Sequence, residues 1–235
     1  MTSGGAATVG PLTGIPTSII IAPTPRTKRM ARKRFQLGVL ISGGGRTLCN
    51  LHERIAGGEL DAEIAVAVCS RPNAAGVERA RACGIETVIV DRRAVGDVEF
   101  HDRVTRAVGE VDLVCLAGFL SLWRFPPRRF GRVINIHPAL LPDFGGPGMY
   151  GRRVHEAVLA SGATQSGCTV HLCDDHYDTG PILLQRRVAV QPSDTVESLA
   201  ARVFEQECIA YPEAIRLFIE DRVEVRGRGV TVRRG

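Results

Sequence analysis

The chain has 235 residues, 44% of them hydrophobic, enough for one domain of ordinary size with its own core and no need of metal or disulfide staples. Its net charge of +5 sits at the ends: residues 1–34 carry six Lys/Arg and no acid and residues 226–235 carry four Arg and no acid, so of 30 basic and 25 acidic residues the body keeps 20 and 25. A mildly acidic body with 5% aromatics argues against nucleic-acid binding, no apolar run is long enough to cross a bilayer, and seven cysteines without a C-x-x-C pair point to free thiols in a reducing, cytoplasmic setting.

Residues 1–34 are rich in Gly, Thr, Pro and Ala and end in a basic run, a composition that buries too little surface to order itself. A disordered basic tail is the favoured reading; an organellar transit peptide and an early start codon are the alternatives. From residue 37 onward, apolar runs of strand length alternate with segments of helical period. Strands are expected at 37–41, 64–68, 87–90, 113–116 and 132–136, with helices at 47–56, 75–82 and 98–108 between them. Two Pro and three Gly in 141–149 predict a substrate-facing loop. A helix at 154–160, a pair of strands at 168–172 and 182–190, and a long helix at 195–220 capped by Asp194 complete the domain, residues 35–225. Residues 226–235 are left as a basic C-terminal tail.

Two places carry chemistry. Gly43, Gly44 and Gly45 follow the first strand and precede a helix, so their backbone N–H groups are available to an anion, with Arg46 and Thr47 beside them. The spacing matches neither the dinucleotide fingerprint nor the P-loop, and a Gly-rich turn that binds nothing is the plain alternative. The second place is Asn135-Ile136-His137-Pro138. Side chains alternate along a strand, so Asn135 and His137 share a face. Asp178, in a Gly-containing loop, could hold the imidazole and bias its proton. Acyl transfer to an amine needs an oxyanion donor and a proton carrier, and Asn135, His137 and Asp178 can supply them without a Ser or Cys nucleophile. Among the other polar residues, His155 and His171 read as structural or as supports for neighbouring site residues rather than as ligands, His52, His101 and His176 as solvated, Trp123 as a packing residue and Asp174-Asp175 as an acidic turn; no cluster has metal spacing.

The blocks Leu40-Ile41-Ser42-Gly43, Leu116-Ala117-Gly118-Phe119-Leu120, Asn135-Ile136-His137-Pro138-Ala139-Leu140-Leu141-Pro142, Gly167-Cys168-Thr169-Val170-His171 and Tyr177-Asp178-Thr179-Gly180-Pro181 occur in this order. The chain thereby resembles the phosphoribosylglycinamide formyltransferases over nearly all of its length except the two tails. The resemblance implies an α/β fold, a Rossmann-like open sheet with parallel strands in the N-terminal half, mixed strands in the C-terminal half and helices on both faces. It implies formyl transfer from 10-formyltetrahydrofolate, without metal, to the amine of glycinamide ribonucleotide in the third step of purine synthesis. By motif position, Asn135 and His137 would stabilise the oxyanion and Asp178 would pair with His137 and relay the amine proton. Gly43, Gly44, Gly45, Arg46 and Thr47 would hold the acceptor's phosphate and Glu207 its ribose hydroxyls. Leu116, Ala117, Gly118, Phe119 and Leu120, with Asp174 and Asp175, would line the pterin pocket. No nucleic-acid or membrane partner is expected, and the enzyme is expected as a monomer or homodimer.

The sequence departs from the family's common pattern at several positions. Gly44-Gly45-Arg46-Thr47 stands where Asn-Gly-Ser-Asn is usual, exchanging polar side chains for backbone and a guanidinium. Pro147 stands where a longer-loop branch has Lys, Cys208 where His is common, and Ser121 where Arg is common. Formyltetrahydrofolate hydrolases and methionyl-tRNA formyltransferases share the Asn/His/Asp core, but typically carry an extra domain that this length does not provide. A nucleotide-binding module that has lost activity is the reading from another class, and the intact Asn135, His137 and Asp178 weigh against it.

Overall fold

A computed structural model describes Met1 and residues 33–227 and 229–233. The tail expected over residues 1–34 therefore lies almost wholly outside the described residues. In chain order the elements are β1 (Phe35–Ile41), α1 (Arg46–Ala56), β2 (Ala62–Cys69), α2 (Ala75–Ala82), β3 (Thr87–Ile89), α3 (Arg92–Val95), α4 (Asp97–Val108) and β4 (Leu113–Leu116). A short 3₁₀ turn (Pro127–Arg129) follows, then β5 (Val133–His137), α5 (Arg152–Ala160), β6 (Gln165–Leu172), β7 (Ile182–Ala189), α6 (Val196–Ile219), β8 (Val223–Arg226) and β9 (Gly229–Val232).

Seven strands form one sheet in the order β3-β2-β1-β4-β5-β6-β7, parallel from β3 to β5 and antiparallel at β5-β6 and β6-β7. The central strands are apolar on both faces because each face is covered. Along β1, Leu37, Val39 and Ile41 enter one core while Leu40 enters the other; Leu113 and Cys115 against Val114 in β4, and Ile134 against Val133 in β5, repeat the alternation. The first core is closed by Leu48 and Leu51 of α1 and by α6, and the second by Phe100, Val104 and Val108, spaced four apart on α4. The fully buried Tyr211 of α6 directs its hydroxyl to the carbonyls of Leu116 (2.9 Å) and Ile134 (3.2 Å), fixing this helix to β4 and β5.

The order reverses between β1 and β4, so their connections leave toward opposite faces and open a crevice at the strands' C-terminal ends. Ser42 spans it: its N–H donates to the Gly118 carbonyl at 3.0 Å, its hydroxyl accepts from the Leu120 N–H at 2.9 Å, and the Ser70 hydroxyl lies 2.5 Å away.

Three details differ from expectation. The cap of α6 is Thr195, paired reciprocally with Ser198, while Asp194 accepts from the Ser198 hydroxyl and from Arg202; adjacent capping residues compete, and geometry chooses. Residues 229–232, set apart as tail by their composition, pair with β8 in an antiparallel hairpin. His101 is not simply solvated: its Nδ1 accepts from the Arg124 N–H at 3.3 Å. Trp123 is buried as expected, its indole N–H shared between Thr105 Oγ1 and the His101 carbonyl.

Candidate active site

Asn135 and His137 leave β5 on the same face and reach one carboxylate. Asp178 Oδ1 accepts from Asn135 Nδ2 at 3.3 Å, and Asp178 Oδ2 stands 3.5 Å from His137 Nδ1. Asp178 adopts φ +59, a left-handed conformation that turns its side chain back over β5. The Gly146 N–H binds Oδ2 at 3.0 Å. Gly145 permits the approach, since a Cβ there would stand 2.5 Å from Leu141 Cδ2 and 3.2 Å from Asp178 Cβ. The segment after His137 is held by Thr169, whose hydroxyl donates to the Ala139 carbonyl (2.6 Å) and accepts from the Leu141 N–H (3.0 Å).

His171, expected as structural or as a support for a neighbouring site residue, takes the supporting role. It lies directly across from Asn135 in the β5-β6 pairing. Its Nδ1 donates to the Leu172 carbonyl at 2.8 Å, so Nε2 accepts from Asn135 Nδ2 at 3.1 Å; the same Nε2 is 3.5 Å from Asp178 Oδ1. Two histidines and an asparagine thus surround one carboxylate. The signal in the sequence was the alternation of Thr169 and His171, but placing His171 beside Asn135 requires the register of the antiparallel pair.

Electrostatics follow from burial. Burial holds His137 below the ordinary imidazole range, against the pull of Asp178 and the Phe144 carbonyl, which accepts from His137 Nε2 at 2.8 Å. Burial alone would push the Asp178 carboxyl up, but the His171 contact, the His137 charge and the Gly146 N–H together hold it below the usual carboxylate range. A buried carboxylate facing an imidazole that burial keeps neutral is an arrangement suited to proton transfer.

One cleft opens onto this cluster, and a second adjoins it at Gly118, Pro138 and Gly151. The larger, of about 390 Å³, is lined by Leu116, Gly118, Phe119, Leu120, Asn135, Tyr177 and Asp178, with Met149 and Tyr150 from the loop after β5. Of the residues expected around a pterin, Leu116, Gly118, Phe119, Leu120 and Asp174 line this cleft. Ala117 instead faces the second cleft, and Asp175 faces a neighbouring groove with Phe125 and Phe130. Ala117 turns away because side chains alternate as the chain leaves β4.

The second cleft, of about 370 Å³, gathers Gly43, Gly44, Gly45, Arg46, Thr47 and Glu207 with Arg152, His155 and Phe204. Gly45 caps α1 with φ +70 and no side-chain bond, leaving the helix's first N–H groups free of a capping side chain. Gly43 and Gly45 are packed onto Gly76 of α2, where a Cβ would meet the Gly43 carbonyl oxygen at 2.7 Å. The Arg46 guanidinium lies 3.6 Å from the centre of the Phe204 ring. Burial pushes the Glu207 carboxyl up to about 7, opposed by Arg46. Gly118, Pro138 and Gly151 border both clefts.

Residues 35–215 match the formyl transferase family model. The chain belongs to the formyl transferase family. A chloroplastic phosphoribosylglycinamide formyltransferase of Vigna unguiculata is 41% identical, covering 84% of this chain and 65% of its own; that of Arabidopsis thaliana is 40% identical, covering 84% and 70%. The chain thus spans roughly two thirds of the length of these plant relatives. Among solved structures, glycinamide ribonucleotide transformylase 1 of Symbiobacterium toebii superposes with a TM-score of 0.75 at 39% identity, over 85% of this chain and 94% of that one. The formyl transferase match spans the glycine loop, the Asn135 strand, Asp178 and Glu207. Among the described residues no helix is long and apolar enough to cross a membrane, and no group of three or more His, Cys, Asp or Glu stands close enough together to hold a metal ion.

Proposed function

We propose that this chain transfers the formyl group of 10-formyltetrahydrofolate to the primary amine of glycinamide ribonucleotide, the third step of de novo purine synthesis. The observation that carries the reading is that two dissimilar clefts adjoin at Gly118, Pro138 and Gly151, with Asn135 and Asp178 in the lining of the first: an apolar cleft suited to a pterin and an anion-binding cleft suited to a ribose phosphate. Phosphate is received by the backbone of Gly43 to Gly45, with Arg46 and Thr47, and the ribose hydroxyls by Glu207. Leu116, Gly118, Phe119, Leu120 and Asp174 receive the pterin.

In this reading the acceptor amine attacks the formyl carbon. The C–N bond forms, the formyl oxygen becomes an oxyanion, and the bond to N10 of the folate then breaks. Asn135 and His137 stabilise the oxyanion; the 3.3 Å contact from Asn135 to Asp178 is long enough for the formyl oxygen to replace it. Asp178 takes the amine proton through water and returns it by the same route to N10 as the C–N10 bond breaks. Cleft residues, proton carrier and oxyanion donors all come from one chain, so the site is complete in a monomer and equally in a homodimer. We assign the catalytic domain as running from residue 35 through the β8-β9 hairpin, residues 1–34 as a basic tail, and the cytoplasm as the compartment, in keeping with seven free cysteines.

The test is turnover of purified protein with 10-formyltetrahydrofolate, with glycinamide ribonucleotide present or omitted. Acceptor-dependent release of tetrahydrofolate is expected. Equal release without acceptor would reassign the site to hydrolysis, and binding of both ligands without release would make it an inert module.

A further inference from the structure

His155 is a buried imidazole near the site that takes part neither in the proposed chemistry nor in the cluster around Asp178. It sits one turn into α5, four residues after Gly151, and is 5% exposed. Its Nδ1 is buried and has no hydrogen-bond partner among the described residues. Leaving such a group unpaired costs about 1–3 kcal/mol, so an unpaired buried nitrogen in a ligand cleft calls for a partner that arrives with the ligand. His155 lines the same cleft as the glycine loop and Glu207. Burial first, and then the His137 charge, hold it below the ordinary imidazole range. Gly151, one turn before it, and Pro138, the neighbour of His137, line the same cleft and also border the first one.

We propose that His155 hydrogen-bonds the secondary amide of the acceptor, the link between its ribose and its attacking amine. The inference rests on the acceptor assigned above. With phosphate on the glycine loop and the amine beside His137, the atoms between them cross the cleft that His155 lines. A neutral imidazole offers one N–H and one lone pair, and a secondary amide offers a carbonyl and an N–H, so the two are complementary in either tautomer. The carboxylate of Glu207 is suited to hydroxyls, leaving His155 to distinguish an aminoacyl-amide ribonucleotide from a simple sugar phosphate.

Calorimetric titration with two ligands, glycinamide ribonucleotide and ribose 5-phosphate, tests it on the full chain and on His155→Leu and His155→Asn. His155→Leu is expected to weaken glycinamide ribonucleotide by about five- to tenfold, the span of one neutral hydrogen bond, and to leave ribose 5-phosphate within about twofold. His155→Asn, which returns a polar atom near the Nδ1 position, should recover most of the loss. In turnover, the acceptor KM should rise while the KM for 10-formyltetrahydrofolate stays put. If His155→Leu does not fold, His155→Gln, which displaces the polar atoms, replaces it under the same expectations. Equal effects on both ligands, or none on either, overturn the role of His155. A wild-type chain that binds ribose 5-phosphate but not glycinamide ribonucleotide overturns instead the acceptor assignment itself.

Discussion

Asp178 Oδ2 stands 3.5 Å from His137 Nδ1, with both side chains almost fully buried. Held at φ +59, Asp178 occupies a conformation that Asn also tolerates, so Asp178→Asn removes charge with little backbone strain. This variant and His137→Ala are each expected to lower kcat by about a hundredfold or more, as for a lost proton carrier or oxyanion partner. Stopped-flow or steady-state rates within a factor of three of wild type in both variants would remove the pair from the chemistry.

His171 acts on Asn135 and Asp178 rather than on substrate. Replacing it with Leu removes the acceptor that holds the Asn135 amide in place beside Asp178, so kcat should fall by about tenfold, the weight of one lost neutral hydrogen bond, while both KM values hold. A rise in the acceptor KM at constant kcat would instead place His171 in binding.

Glu207 gives the pH dependence. A carboxyl lifted from 4.5 to about 7 by burial is harder to ionise in the folded chain than in the unfolded one. Its ionisation penalty is therefore fully present above pH 7 and fades as pH falls toward 4.5, with an upper bound of about 3 kcal/mol. Glu207→Gln should melt higher than wild type at pH 8, with the gain vanishing near pH 4.5, while the acceptor KM rises. Thermal melts with no pH-dependent difference between the two proteins would show that the carboxyl is not so shifted.

Arg46 rests on Phe204, so removing either partner loosens the other's placement. Arg46→Ala should raise the acceptor KM more than it lowers kcat, and Phe204→Leu should do the same to a lesser degree, because the guanidinium survives but loses the ring beneath it. Unchanged acceptor KM in Arg46→Ala would return the loop to a structural turn.

Gly76 supports that loop from α2. Gly76→Ala would drive a methyl into the Gly43 carbonyl and Ile41 Cδ1, so it should destabilise the fold by about 1–3 kcal/mol and shift the glycine loop enough to raise the acceptor KM. Wild-type melting temperature and KM together would refute the tight packing.

Much of this was legible in the sequence because the information is local. The bounds of α2 and β4 follow from short apolar runs and breakers, and the alternation of β5 put Asn135 and His137 on one face before any coordinates. What escaped is set by pairing across the chain. His171 needs the β5-β6 register, Ala117 the turn of the chain after β4, and the stacking of Arg46 on Phe204 a meeting of α1 with α6. The β8-β9 hairpin was hidden because arginines flank its alternating valines, so that average composition masked a period of two.

Gly118, Pro138 and Gly151, the three residues shared by both clefts, form an aperture built almost entirely of main chain. A Cβ at Gly118 or Gly151 would meet no atom within 4 Å and would project into open space, yet their φ values of +75 and +54 disfavour any side chain there. The border between the two clefts is thus resistant to narrowing by point substitution. The rest of each cleft's lining is its own, so preference for one molecule can drift over evolutionary time, or be redesigned, while the other's seat stays as it was.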